Sequence, residues 1–305
     1  MIKSKNVMLS AILVCSSLFA FNANAFGLGD IIGAAKEIAG ANKGSTTNEP
    51  IVRPSDAQCM SMIPSGFPKT PYPDSIKLNI CHQGYVLGYN TQTKTPIWVG
   101  EYLTRENLNA RYTKRNDNFR PDPMVLKVNP SASATLDDYA GSSRVGSGYD
   151  RGHMAPADDF RKSAEQMDES FYLSNIVPQN ANNNRGIWQS LEKSVRNWAQ
   201  KYEAAEVVTG PIYYKGQSQG RLGTVSIPTH LYKVIYLPKK GVAVGFILPN
   251  SPLESNTLAE YAMPVSHVEQ LSGMKFFPSL PQSIKDNMPK VTYDVGKSWV
   301  VFAKP

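Results

Sequence analysis

Between residues 149 and 192 the chain gathers the residue types that can do chemistry on a charged substrate. Asp150, Arg151, Gly152 and His153 are consecutive, Asn175 and Gln179 follow, and residues 180–185 hold four asparagines and an arginine. Glu192 comes eight residues after Asn184. Such a density of amides makes a poor core, because each buried amide or imidazole needs hydrogen-bond partners. It suits a polar site that holds a metal ion and a phosphate. His153 is the natural general base, since an imidazole ordinarily titrates near neutral pH. Arg151 offers the fork-shaped donors that grip phosphate oxygens and offset transition-state charge. Asp150 is expected to order the motif by accepting backbone or arginine bonds, and Asn175 and Gln179 to tie down the loop behind His153.

The run Tyr149-Asp150-Arg151-Gly152-His153-Met154-Ala155-Pro156, with Asn184-Arg185-Gly186-Ile187-Trp188 and the later Glu192, resembles the DNA/RNA non-specific endonuclease family. That family groups secreted bacterial nucleases with mitochondrial endonuclease G around a ββα-metal, or His-Me finger, active site. Further resemblance at residues 96–104, 228–233, 245–250 and 265–278 extends it over about residues 59–279. The resemblance implies that His153 is the base and that Asn184 ligates the metal and opens a helix, with Asn182 and Asn183 as rivals by composition. A single neutral amide suits Mg²⁺, which keeps most of its waters; Mn²⁺ or another divalent cation is an alternative. Glu192 would lie about 12 Å along the helix axis and about 80° around it from Asn184, within reach of the cation's water shell. An arginine upstream of the motif is implied to contact the scissile phosphate. Arg115, four residues before Phe119, matches best, with Arg111 and Arg120 nearby.

The implied activity is hydrolysis of phosphodiester bonds in DNA and RNA with little sequence preference, leaving 5′-phosphate ends. Water activated by His153 makes the 2′-hydroxyl unnecessary, and phosphate contacts carry no base information. The alternatives are a catalytically silent nucleic-acid-binding protein, used in DNA uptake or matrix binding, and a phosphodiesterase for small substrates.

These groups need a strand, a loop and a helix to position them. Ile187, Leu191, Val195, Trp198 and Tyr202 recur at helical spacing and predict a helix over residues 184–202. Residues 163–169 read as a short helix, 171–173 as a short strand and 175–183 as an irregular polar loop broken by Pro178. Two hairpins are predicted, one from residues 85–89 and 97–103, the other from 231–237 and 242–248 across Pro238-Lys239-Lys240-Gly241. No internal repeat or boundary breaks residues 59–305, so one α+β domain is expected: a mostly antiparallel sheet with packed helices and a ββα-metal finger.

Ahead of it, residues 1–25 read as an export signal. Lys3 and Lys5 begin it, an apolar stretch follows, and Ala23-Asn24-Ala25 is a small-x-small cleavage site. The stretch is too short for a membrane span, so no membrane anchor is expected. Residues 26–58 read as an arm and linker. Removing Lys3 and Lys5 and no acid takes the formal net charge from +7 to +5, a basic balance that fits a polyanionic partner. Cleavage would leave Cys59 and Cys81, an even pair expected to form a disulfide in a periplasmic or extracellular protein. His82, next to Cys81, reads as structural rather than as a ligand. The sequence sets no oligomeric state.

Overall fold

The structure is a computed structural model that describes residues 57–140 and 148–303. The expected export signal and almost all of the arm lie outside the described residues. In chain order, helix α1 (Ala57–Ser61) leads to strands β1 (Lys77–Cys81), β2 (Val86–Asn90) and β3 (Thr95–Thr104), then helices α2 (Arg105–Asn109) and α3 (Pro123–Val128). Strand β4 (Tyr149–His153), helix α4 (Ala164–Glu169) and strand β5 (Ile176–Asn180) follow. A continuous helical segment comes next: a turn at Ala181–Asn183, a π-helical stretch at Asn184–Trp188 and helix α5 (Gln189–Lys201). Strands β6 (Ala204–Ile212), β7 (Arg221–Leu222), β8 (Val225–Ser226), β9 (His230–Leu237), β10 (Val242–Pro249) and β11 (Ala262–Met263) precede helices α6 (Val265–Ser272) and α7 (Gln282–Asp286). The hairpin β12 (Val291–Asp294) and β13 (Trp299–Phe302) comes last.

Seven strands form one sheet in the order β1-β2-β3-β6-β9-β10-β11, with every neighbouring pair antiparallel. Both expected hairpins are there, as β2–β3 and β9–β10. The strands read as continuous apolar runs because both faces are covered. Leu87, Val99, Val207, Ile235 and Val244 point to one face, where Ile187, Trp188, Leu191, Val195 and Trp198 pack. Their chain neighbours Val86, Trp98, Val208, Val234 and Ala243 point to the other, beneath Ile63, Val265, Val268 and Phe276. Alternation at period two thus builds two cores on one sheet. The closing hairpin, beyond the stretch of family resemblance, packs on α5: Phe302 stacks on Trp198 at 4.7 Å and Val300 N donates to Ser194 Oγ at 2.9 Å.

Two expectations need correction. Residues 171–173 make no strand; Tyr172 forms a single bridge with Arg120 and the chain then turns through the 3-10 helix Leu173–Asn175. Residues 175–183 are no irregular loop, since Ile176–Asn180 pairs in full register with β4. Pro178 is tolerated because this ribbon has only two strands, so each has an edge where no N–H is required.

Cys59 and Cys81 are joined, tying α1 to the end of the edge strand β1. A closed loop of this length contributes about 3 kcal/mol in the chain-entropy model. Next to it, His82 is buried and its Nε2 lies 3.0 Å from Asp122 Oδ2. Asp122 also caps α3 through Met124 N and accepts from Ser174 Oγ at 2.5 Å, so one carboxylate joins β1, α3 and the turn before β5. Burial alone would lower the His82 pKa, but its bonds to Asp122 and Glu169 raise it from 6.5 to about 9.

This pair sets a sign for alkaline stability. A histidine raised in the folded state stabilises fully below 6.5 and loses that contribution as pH rises to about 9. His82→Leu, which leaves Asp122 buried without its cation, is expected to cost about 3–5 kcal/mol near pH 6.5 and to flatten the alkaline decline. Urea unfolding across this interval checks it; an unchanged slope in the variant would contradict the assignment.

Candidate active site

The site begins with the β4–β5 ribbon. Tyr149 pairs with Asn180, Asp150 with Gln179 and His153 with Ile176, which fixes each side chain of the motif by register. Gly152 is required by contact rather than by backbone angle. A Cβ there would lie 2.1 Å from Gln179 Oε1 and 2.5 Å from Gln179 Cβ. Gln179 is fully buried and donates to Asn183 Oδ1 at 2.9 Å, so it cannot retreat freely. Asn175 holds the loop beyond His153, accepting from Ala155 N and donating to the carbonyls of Ala155 and Ser170, each at 2.9 Å.

The helical segment starts earlier than the sequence suggests. Asn180 is its cap, accepting from the backbone N–H groups of Asn182 and Asn183 at 3.1 Å each. Asn184 therefore does not open the helix; it lies one turn in, at the start of the π-helical stretch. That stretch changes the angular advance per residue, so the separation of Asn184 and Glu192 expected for a regular α-helix does not apply. Asn183 is committed to structure, with its amide nitrogen donating to Pro249 O and Ser251 O. Asn182 is exposed and lines no part of the site.

Asp150 links the ribbon to this helix. Its Oδ2 accepts from Asn184 Nδ2 at 2.9 Å and Arg185 Nε at 2.8 Å, and its Oδ1 from Arg185 Nη2 at 2.6 Å. The bond to Asp150 occupies the Asn184 nitrogen, and no described residue donates to the Asn184 oxygen. An open pocket of about 390 Å³ is lined by Arg115, Arg151, His153, Asn184, Glu192 and Arg196, with Asp150, Arg185, Gln189 and Lys193 also on its wall. Four expected groups, His153, Arg151, Asn184 and Glu192, thus meet in one cavity, and Arg115 joins them.

An aromatic pair organises the cationic side. His153 packs edge-on against Phe171 at 5.0 Å and tilted against Phe119 at 5.3 Å, and these two rings meet each other at 4.9 Å. The Arg151 guanidinium stands 4.1 Å over Phe119, and that of Arg115 5.0 Å over Phe171. Arg111 instead lies 3.8 Å from Asp158, while Arg120 pairs with Asp168 and stacks on Tyr172; neither lines the pocket. His153 is 8 % exposed and its Nε2 is buried without a protein partner. Burial, then the charges of Arg115 and Arg151, lower its pKa from 6.5 to about 3. The His153 ring is thus a neutral imidazole throughout the neutral range, not one poised at its ordinary value.

Opposite, burial raises the Glu192 carboxyl to about 7, although Arg196 and Lys233 act to lower it. Arg196 donates to Asp159 Oδ1 at 2.9 Å, joining α5 to the 3-10 helix Ala157–Phe160 just after the motif. Arg185, Gln189, Lys193 and Arg196 were not among the expected site residues. Their signal was present: with Glu192 they form a polar stripe at three- and four-residue spacing beside the apolar stripe of the same helix.

The donor set also discriminates among metals. Among the described residues no group of three or more His, Cys, Asp or Glu side chains could hold an ion. A neutral amide oxygen with a carboxylate nearby fits a hard, hydrated cation such as Mg²⁺ and not zinc, which takes imidazole and thiolate. Among the described residues no helix is long and apolar enough to cross a membrane.

Comparison with known proteins bears on the family and the fold. The model of a family described as DNA/RNA non-specific endonuclease matches residues 63–283. The chain is 40% identical to nuclease EXOG, mitochondrial, of Xenopus laevis over 212 residues, covering 64% of this chain and 57% of that protein. It is 33% identical to the mitochondrial nuclease of Saccharomyces cerevisiae, covering 74% of each. Human endonuclease G, mitochondrial, is 34% identical over 65% of this chain and 69% of its own. The chain spans 57–60% of the length of the EXOG proteins of Xenopus laevis and Danio rerio. Among solved structures, one chain of the EndoG/EndoGI complex superposes with a TM-score of 0.63 at 30% identity, covering 75% of this chain and 95% of that one.

Burial of a neutral His153 gives an acid-side prediction of opposite sign to that of His82. Its folded pKa lies below the unfolded value, so its contribution is present above 6.5 and is lost as pH falls toward about 3. His153→Phe, which keeps a ring between Phe119 and Phe171, is expected to make stability fall less steeply below pH 6.5. Denaturant midpoints of metal-free protein test this, and parallel acid limbs in the two proteins would refute it.

Proposed function

The chain belongs to the DNA/RNA non-specific endonuclease family, and from that premise we propose that it is a divalent-metal-dependent endonuclease that hydrolyses DNA and RNA and leaves 5′-phosphate ends. The observation that carries this is the single pocket in which a neutral His153, the guanidinium groups of Arg115 and Arg151, and the side chains of Asn184 and Glu192 converge.

A phosphodiester resists hydrolysis because its charge repels nucleophiles and its alkoxide leaving group is poor. His153 takes a proton from the attacking water; its depressed pKa keeps the ring unprotonated and able to accept. Arg115 and Arg151, held by ring faces, bind non-bridging phosphate oxygens and offset the charge that grows in the transition state. Asn184 would hold the cation, Mg²⁺ on this donor set, with Glu192 toward its water shell; when bound the ion supplies electrostatic stabilisation of the phosphoryl and departing 3′ oxygens. Asp150 orients Asn184 through its amide nitrogen, and Arg196 fixes α5 against the motif. Departure of the 3′ oxygen leaves the phosphate on the 5′ side. Nothing in this set reads a base edge, so both nucleic acids are substrates.

We further propose export. Residues 1–25 combine two lysines with an apolar stretch and contain no arginine, unlike an Arg-rich transit peptide. The Cys59–Cys81 disulfide suits an oxidising compartment.

The decisive experiment incubates purified mature protein with plasmid DNA and with RNA, with Mg²⁺ or chelator, and analyses product ends. Cleavage of both to 5′-phosphate ends is expected, and His153→Ala should lower the rate by about 10²–10⁴-fold while nucleic-acid binding persists. A 2′,3′-cyclic phosphate from RNA together with inactivity on DNA would overturn the water mechanism. Binding without cleavage would favour a silent binding protein. Asn184→Ala is expected to raise the Mg²⁺ concentration at half-maximal rate and to lower the maximum. An unchanged titration would move the ligand elsewhere.

A further inference from the structure

A second pocket, of about 290 Å³, opens where the turn between β2 and β3, the end of β6, the loop that follows it and the end of α6 meet. It shares no lining residue with the catalytic pocket. Its wall carries three tyrosines, Tyr72, Tyr213 and Tyr214, and two cations, Lys215 and Arg221, and it contains no carboxylate.

Arg111, Arg115, Arg120, Arg161, Arg185 and Arg196 each pair with an aspartate. Neither Lys215 nor Arg221 pairs with a carboxylate among the described residues; Arg221 donates to Thr224 O at 2.9 Å. Lys215 also sits in left-handed backbone, φ 52° and ψ 33°, which L side chains adopt rarely. Strain of this kind persists only where the surroundings enforce it. Here it places the ammonium 5.5 Å over the Tyr214 ring, on the pocket wall. Tyr213 is fixed as well, with its hydroxyl 2.9 Å from Thr95 Oγ1 and donating to Ser226 O at 3.2 Å. Gln92 lines the same wall, and its Oε1 is buried with no donor.

These features specify an occupant. Two uncompensated cations call for an anion, the rings for a planar aromatic body, and the unpartnered amide oxygen for an N–H. The volume is at the lower end of ligand pockets, about 300–1,000 Å³, enough for a single nucleotide unit and not for a duplex. We propose that this pocket is a binding site for a nucleoside 5′-monophosphate, with the phosphate on Lys215 and Arg221, the base against the tyrosines and a base N–H on Gln92. The catalytic reading enters only as a source of ligand, since it makes 5′-phosphorylated products; the pocket's chemistry stands without it.

Isothermal titration of the whole protein in chelator, which removes turnover, tests the site with dTMP and AMP against thymidine, adenosine and inorganic phosphate. One saturable equivalent of nucleotide is expected, with the nucleosides and phosphate much weaker. Lys215→Asn with Arg221→Gln should weaken nucleotide binding by about tenfold or more, as loss of charge-assisted contacts predicts, and leave plasmid cleavage unchanged. Asparagine is chosen at 215 because it tolerates left-handed backbone. Tyr214→Ala should weaken nucleotides and leave inorganic phosphate alone. Arg115→Ala with Arg151→Ala, which disarms the catalytic pocket, should retain the site. No saturable binding by folded wild-type protein at millimolar nucleotide would overturn the proposal. So would binding that follows Arg115 and Arg151 instead of Lys215 and Arg221, or phosphate binding as tight as nucleotide. A cleavage result alone bears on the catalytic reading and not on this one.

Discussion

The site depends on how one buried carboxylate is satisfied. Asp150 belongs to the strand that carries His153, yet among the described residues its side-chain partners all come from the helix that carries Asn184 and Glu192. A carboxylate this far from water is costly unless charged or polar donors surround it, and bonds to an ionised group are worth about 1.5–3 kcal/mol each. Three such bonds fix the spacing of strand and helix. The same junction selects the rotamer of Asn184, because its nitrogen is committed to Asp150. The Arg185 side chain is 61% exposed, so its charge is screened by solvent.

Behind that junction lies a layer of buried ionisable groups. Lys233 of the interior strand β9 is 1% exposed and donates to Thr209 Oγ1 at 2.6 Å and toward Met154 O at 3.4 Å, one residue beyond His153. Burial lowers its pKa, opposed by Glu101, Glu192 and Asp159. Burial raises the Glu101 carboxyl well above its ordinary value, and Asp159 is raised despite its bond to Arg196. Ionisable groups placed this deep weaken a core in exchange for orientation, since each holds its neighbours only in the geometry that satisfies it. The sheet can carry them because its two apolar faces are both fully packed.

Much of the architecture was legible in the chain. Two apolar runs flanking a turn-rich tetrapeptide announced β9 and β10, and the stripe Ile187, Leu191, Val195 and Trp198 announced the buried face of α5. Such patterns are local: period and turn chemistry suffice to write them. Where local signals competed, the reading failed. Pro178 and the surrounding amides suggested a loop, but pairing with β4 overrode them at an edge that needs no N–H from residue 178. Asn184 was expected to open a helix that Asn180 in fact caps, because either asparagine can cap and only the observed turn decides between them.

The sequence by itself determined which residue types could meet: an imidazole, guanidinium groups, amides and a carboxylate in a motif, a loop and a helix. The tertiary structure decided which of them do. Arg111, Arg115 and Arg120 are equivalent in type and close in the chain, and each pairs with an aspartate, yet only Arg115, paired with Asp117 and standing over the ring of Phe171, lines the pocket. Asn183 and Asn184 are adjacent and identical, but the carbonyls of Pro249 and Ser251 bind one and Asp150 the other. The protonation of His153 likewise depends on packing that buries it against Phe119 and Phe171 and on Arg115, all distant from it in the chain, as well as on its near neighbour Arg151. Partner choice and desolvation are properties of non-local packing, and composition and spacing carry no record of them.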